Sequence, residues 1–151
     1  MKKRLAIVGY GGQGAWHANW AMKSDVVELA GIFDIAEKRV NAARENGIHT
    51  YASREELIAD KTVDIVLCAT PNDVHKDIVV TALNAGKHVI CEKPVALSVG
   101  EFDEMVDAAK KNGKVLSVHQ NRRWDVDYLA MKAIKESGEI GEIINIESRI
   151  H

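Results

Sequence analysis

A short apolar run that drives straight into closely spaced glycines constrains this chain more than any other feature. Leu5-Ala6-Ile7-Val8 leads into Gly9-Tyr10-Gly11-Gly12-Gln13-Gly14. The run predicts a strand buried on both faces, as in a parallel sheet covered by helices. Glycines at 9, 11 and 14 carry the G-x-G-x-x-G spacing, which lets a backbone approach a pyrophosphate and aims a helix N-terminus at it. Alone the pattern is weak, and its weight depends on the surrounding chain.

Beyond the glycines the chain alternates helix and strand. A helix is expected over Gln13–Lys23, with Trp16 and Trp20 one turn apart on a face packed against the sheet. His17 either faces a cofactor or is a satisfied surface or core histidine, the blander reading being preferred. Val26–Phe33 predicts a second strand ending at Asp34, 20 residues beyond Gly14. At that separation an acidic residue accepts hydrogen bonds from an adenosine ribose and repels a 2′-phosphate, favouring NAD over NADP. Lys38 and Arg39 soften that preference, and Asp34 can instead cap a helix over Ala36–Glu45. Asn46-Gly47 stops that helix. A short strand near His49–Tyr51 precedes Ser53-Arg54-Glu55-Glu56, a capping-box pattern.

Val63–Ala69 and Lys87–Cys91 read as buried strands around a helix over Val74–Asn84. Ser98-Val99-Gly100-Glu101 opens another helix, whose Phe102, Met105, Val106 and Ala109 form one apolar face. Val115–Val118 is a sixth strand, Val126–Glu136 a further helix, and Glu142–Ile150 a partly alternating, strand-like segment. The alternation predicts an α/β, Rossmann-type doubly wound parallel sheet with strand order like 3-2-1-4-5-6. Residues 1–120 are expected to form the NAD(P)-binding domain, and 121–151 a crossover helix and the first strand of a second domain.

A net charge of −2 gives no general pull toward nucleic acid or anionic lipid, and no stretch approaches the ~20 apolar residues of a membrane span. Cys68 and Cys91, each inside an apolar run and without C-x-x-C spacing, fit buried thiols in a reducing compartment. The expectation is a cytoplasmic protein with no resident metal.

In an open parallel sheet ligands bind outside the carboxyl ends of the strands, and the polar residues crowd there. Those ends deliver Gly9 to Gly14, then Asp34, then Thr70, Pro71, Asn72 and His75, then Glu92, Lys93 and Pro94, then His119 to Arg122. Lys93 is the candidate for chemistry. Its ammonium can orient an alcohol and stabilise developing alkoxide charge, or share in proton transfer. The alternative is a surface Glu-Lys pair. Pro94 can follow a cis bond. His75 can bond a ribose or nicotinamide group or sit on a helix surface, and His119 reads as structural. Arg122 and Arg123 can bind an anionic or hydroxylated ligand or pair with surface acids.

Together, G-Y-G-G-Q-G, T-P-N-D-V-H at 70–75, C-E-K-P at 91–94 and H-Q-N-R-R-W-D at 119–125 resemble the Gfo/Idh/MocA oxidoreductases. The resemblance spans essentially the whole chain. It implies an NAD(P)-dependent enzyme transferring a hydride between nicotinamide and a sugar, cyclitol or polyol hydroxyl. Lys93 would then contact the substrate and assist transfer. Glu92 and the Thr70–His75 loop would hold ribose and nicotinamide, and Gln120, Asn121 and Arg122 would lie on the nicotinamide and substrate side.

Members of that family run to roughly twice this length, and their second domain supplies an aspartate and a histidine as partners of the lysine and mediates oligomerisation. The resemblance also leaves room for a redox-assisted NAD-dependent glycosidase or a non-catalytic NAD-binding module. With no general base evident beyond Lys93, the 151-residue chain is expected to bind cofactor and turn over poorly or not at all. A steady-state assay of sugar oxidation by this chain checks the expectation, and robust turnover would refute it.

Overall fold

The computed structural model describes residues 1–149. Five parallel strands form one sheet: β1 (Lys3–Val8), β2 (Val27–Phe33), β3 (Ile65–Cys68), β4 (His88–Cys91) and β5 (Leu116–Val118). Their order is β2-β1-β3-β4-β5. Among the described residues six α-helices accompany them: α1 (Gly12–Met22), α2 (Glu37–Glu45), α3 (Arg54–Ala59), α4 (His75–Asn84), α5 (Val99–Lys111) and α6 (Val126–Ser137). The strand expected at His49–Tyr51 is reduced to one bridge between Thr50 and Ile32. Only a few residues separate the Gly47 helix stop from the Ser53 cap, too few to extend a ladder. The bridge still lies outside β2, so with it the order matches the doubly wound arrangement.

Alternation along each strand divides the core between the two faces of the sheet. Ala6, Val8, Val66, Cys68, Val89 and Cys91 pack with Ile78, Val79, Ala82 and Leu83 of α4 and Met105, Ala108 and Ala109 of α5. Leu5, Ile7, Ile32 and Leu67 pack with Ala18 and Ala21 of α1 and Ala43 of α2. The two serine caps form, whereas no side chain caps α4. Ser53 accepts from the Glu56 N–H at 3.0 Å and Ser98 from the Glu101 N–H at 3.2 Å, satisfying N–H groups that a helix start leaves without internal partners.

Helix α1 differs from expectation in its buried face. Trp16 and Trp20 do not pack against the sheet; they are 47% and 58% exposed. The inward stripe is Gly14, His17, Ala18 and Ala21, spaced i, i+3, i+4 and i+7. The cause is steric. A Cβ on Gly14 would overlap the carbonyl oxygen of Gly9, so the helix approaches the end of β1 along its smallest side chains and the indoles are left outside. Gly9 itself has φ +96°, and a Cβ there would stand 2.5 Å from the Ala69 carbonyl oxygen.

The chain divides into two compact units, residues 1–119 and the segment from Gln120 onward. The second holds a 3₁₀ turn over Asn121–Trp124 and α6, which ends on Gly138 in the left-handed conformation at φ 73°. Residues 142–149 carry no helix or strand, in contrast to the strand expected there, and Ile150 lies outside the described residues. An isolated strand leaves its backbone N–H and C=O groups unpaired, so apolar content alone does not produce one. Among the described residues no helix is long and apolar enough to cross a membrane.

The glycine geometry separates two substitutions. Gly14→Ala is expected to destabilise the protein by about 1–3 kcal/mol, as other overpacked sites do. Gly12→Ala, whose Cβ meets nothing within 4 Å, is expected to stay within about 0.5 kcal/mol of the original. Urea unfolding followed by far-UV circular dichroism measures both.

Candidate functional site

The strand ends of residues 1–119 are tied into one rim by backbone hydrogen bonds. The N–H of Gly9 donates to Phe33 O, that of Ala69 to Val8 O, that of Glu92 to Cys68 O and that of His119 to Cys91 O, at 2.8 to 2.9 Å. This ladder sets the glycine loop beside Asp34 on one flank and beside Thr70, Glu92 and His119 on the other.

Asp34 is 6% exposed and organises the first flank. Its Oδ2 accepts from the Tyr10 N–H at 2.6 Å, and its Oδ1 from the Ala36 N–H at 2.8 Å. It therefore makes a turn that leads into α2, while the capping position itself belongs to Ala36, without a side-chain bond. The Arg39 guanidinium lies 3.3 Å from Asp34 Oδ2 and flanks Gly11. A cleft of about 510 Å³ opens here, with Gly9, Asp34, Arg39, Thr70, Pro71 and Ile78 in its wall. It straddles the C-terminal ends of β1, β2 and β3, where strand order reverses and open α/β sheets bind ligands. The first N–H groups of α1 lack helical partners and supply an anion-binding terminus beside it.

Thr70 and Pro71 line that cleft, and Asn72 opens a 3₁₀ turn beyond them. His75 departs from expectation as a cofactor contact, because it is fully buried. Its Nε2 lies 2.9 Å from the Thr70 carbonyl oxygen and its Nδ1 3.2 Å from that of Val95. A neutral imidazole donates through one ring nitrogen only, so His75 gives its N–H to one of these carbonyls and packs against the other, bracing the Thr70 loop from beneath. Cys68 and Cys91 are in-register neighbours on β3 and β4, with their sulfurs within 4.8 Å of each other and of a His75 ring nitrogen. A hydrogen bond from Cys91 pulls the Cys68 thiol below the ordinary cysteine range against its burial, and Cys91 is pushed up in consequence.

Glu92 lies just past β4 and is 6% exposed. Its Oε1 lies 2.6 Å from His17 Nε2 and 3.0 Å from His119 Nδ1, while its Oε2 accepts from the Lys93 N–H at 3.2 Å. Burial pushes this carboxyl up. The His17 and Lys93 hydrogen bonds, with the charge of the two imidazoles, outweigh that and hold it below the usual range. The His17 and His119 rings meet edge-on at 4.6 Å, and the Trp16 ring lies 5.0 Å and 6.2 Å from them. Lys93 is exposed, its ammonium pairs with no group among the described residues, and the Lys93–Pro94 bond is cis.

In the second unit, Gln120 precedes the 3₁₀ turn, and Arg122 Nη1 pairs at 3.2 Å with Oδ2 of Asp125, the residue that follows the turn. From the sequence, a bland role is preferred for His17 and a structural one for His119, and Arg39 figures only as a softening cation; the structure brings the two histidines onto Glu92 and Arg39 onto Asp34. A signal for His17 exists, since it lies three residues after Gly14 and shares that glycine's stripe. Glu92 joins His119 only through the β4–β5 register, which no local pattern announces.

The His75 geometry yields a test. His75→Ala removes the brace beneath Thr70, deprives one backbone carbonyl of its imidazole N–H and leaves a cavity in the core, so a loss of about 1–3 kcal/mol is expected in urea unfolding.

Comparison with known proteins agrees with this geometry. Residues 3–120 match the family model described as "Oxidoreductase family, NAD-binding Rossmann fold". An uncharacterised oxidoreductase of Schizosaccharomyces pombe is 43% identical over 114 residues, covering 76% of this chain and 31% of that protein. An inositol 2-dehydrogenase of Salmonella typhimurium is 35% identical over 154 residues, covering 99% of this chain and 46% of that protein. The crystal structure of an NAD-binding protein from Listeria innocua superposes with a TM-score of 0.91 at 47% identity, over 94% of this chain and 42% of that one. The chain thus spans less than half the length of the relatives it matches. With the glycine loop, the reversal point and the E-K-P strand end in place, and the family model matched over residues 3–120, this chain belongs to the Gfo/Idh/MocA oxidoreductase family as its NAD-binding Rossmann domain.

Proposed function

We propose that residues 1–119 bind NAD(H) for hydride exchange with a hydroxyl carbon of a sugar, cyclitol or polyol. The observation that carries the reading is the 2.6 Å bond from the Tyr10 N–H to Asp34 Oδ2, because it joins the phosphate-binding loop to the acidic end of β2 at the mouth of the cleft. In this reading the adenosine ribose hydrogen-bonds Asp34, and the pyrophosphate rests on Gly9 to Gly14 and the start of α1. The nicotinamide runs past Thr70, Pro71 and Asn72 toward Glu92 and Lys93. Bound NAD supplies the hydride acceptor. Lys93, exposed at the end of β4, orients the substrate hydroxyl and stabilises its developing negative charge. Gln120, Asn121 and Arg122 are assigned to the nicotinamide and substrate side by resemblance to the family. The inositol 2-dehydrogenase relative supports a cyclitol or polyol as the substrate class.

The cofactor preference rests on charge. Asp34 presents a buried carboxylate where NADP would carry a 2′-phosphate, and Arg39 offsets this only in part, its side chain being 53% exposed and already engaged with Asp34. NADH is therefore expected to bind at least about tenfold more tightly than NADPH, by analogy with the strength of one charge-assisted hydrogen bond. Parallel fluorescence titrations measure the ratio, and tighter NADPH binding would reverse the assignment. Lys93→Ala is expected to leave NADH affinity within about threefold, since the lysine serves the reacting hydroxyl rather than the dinucleotide. In a full-length protein carrying this domain, the same change should lower kcat by about 10²–10⁴-fold.

A further inference from the structure

The Glu92 carboxylate is the centre of a buried polar cluster that the proposed chemistry does not by itself require. Three groups face it: His17 from α1, His119 from just past β5, and the backbone N–H of Lys93 from its own strand end. We infer that His17 is a positioning residue, holding Glu92 and through it the backbone from which Lys93 projects.

The chain of contacts is short and directional. Gly14 lets α1 lie against the end of β1, and one helical turn later on the same stripe His17 enters between the strand ends. Its Nε2 meets Glu92 Oε1 at 2.6 Å, the distance of a charge-assisted hydrogen bond. The second oxygen of the same carboxylate accepts the Lys93 N–H. A carboxylate fixed at one oxygen presents its other oxygen in a fixed direction, so the Lys93 peptide is held from the glycine-loop side of the fold. His119 closes the opposite side at 3.0 Å, and the half-exposed Trp16 ring shields both imidazoles. The cluster thereby encloses the Glu92 carboxylate from both sides. It also couples the cofactor loop to the catalytic strand end through side chains, a link distinct from the backbone ladder. The assignment rests on the reading that Lys93 faces the reacting hydroxyl.

The test uses the 151-residue chain itself and separates the two readings. Glutamine at position 17 retains a side-chain N–H donor of similar reach, whereas leucine retains bulk and loses the donor. In His17→Leu, three changes are expected by nuclear magnetic resonance and titration. The Glu92 carboxyl titrates about one pH unit higher. The Lys93 amide exchanges about tenfold faster, and NADH binds about tenfold more weakly. His17→Gln should return all three to within about threefold, or half a pH unit, of the original chain.

Leucine and glutamine variants that behave alike, or an unchanged Lys93 amide in His17→Leu, would overturn the assignment. One measurement on the unaltered chain stands whether or not the leucine variant folds: the ring ¹⁵N shifts at pH 7.5 should show His17 Nε2 carrying a proton. An unprotonated Nε2 would refute the hydrogen bond and the proposal with it. If the unaltered chain fails to bind NADH while the carboxyl and amide responses appear, the functional reading falls and the positioning role stands.

Discussion

Everything at the ligand-binding edge depends on one close approach, that of α1 to the end of β1, which exists because position 14 has no Cβ. The helix start meets the Gly9 carbonyl where a methyl group would collide. That approach leaves the unpaired N–H groups of the helix facing the glycine loop and directs the next residue on the stripe, His17, toward Glu92. A larger residue at 14 would push the helix away and release both.

The sheet supplies a second, independent order. Parallel strands in register end at nearly the same level, so residues far apart in sequence stand side by side at one edge. Asp34, Thr70, Glu92 and His119 share that rim because each lies just past the last ladder pair of its strand. Covalent distance is irrelevant there, and the buried polar groups can satisfy one another: Asp34 with the loop amide of Tyr10, His75 with a backbone carbonyl, Glu92 with two imidazoles. Each pairing offsets a desolvation cost that an isolated polar group would carry in full.

This division of labour explains which parts of the site are legible in the sequence. The glycine spacing, the aspartate 20 residues on, and the E-K-P and T-P-N strand ends are local patterns with local physical requirements, and the fold reproduces their placement. The buried face of α1 is not legible in this way, because Trp16 and Trp20, large apolar residues at i and i+4, suggest a core face on hydrophobicity alone. Close packing overrules them, since only the stripe containing Gly14 fits against the strand. His75, one turn into a helix beyond a strand end, has the position of a ligand contact, but its immersion depends on Val95 approaching from 20 residues later.

The sequence by itself determined the strand–helix alternation, the glycine turn, the two serine caps and the polar character of the strand ends, since each arises from backbone sterics and periodicity within a few residues. Tertiary structure decided what long-range register controls. It reduced the His49–Tyr51 strand to a single bridge, turned Asp34 toward the Tyr10 amide, and left residues 142–149 without a strand. It also gathered His17, Glu92 and His119 into one cluster. Those outcomes depend on which buried donor meets which buried acceptor, and that pairing is made only when separate elements pack together.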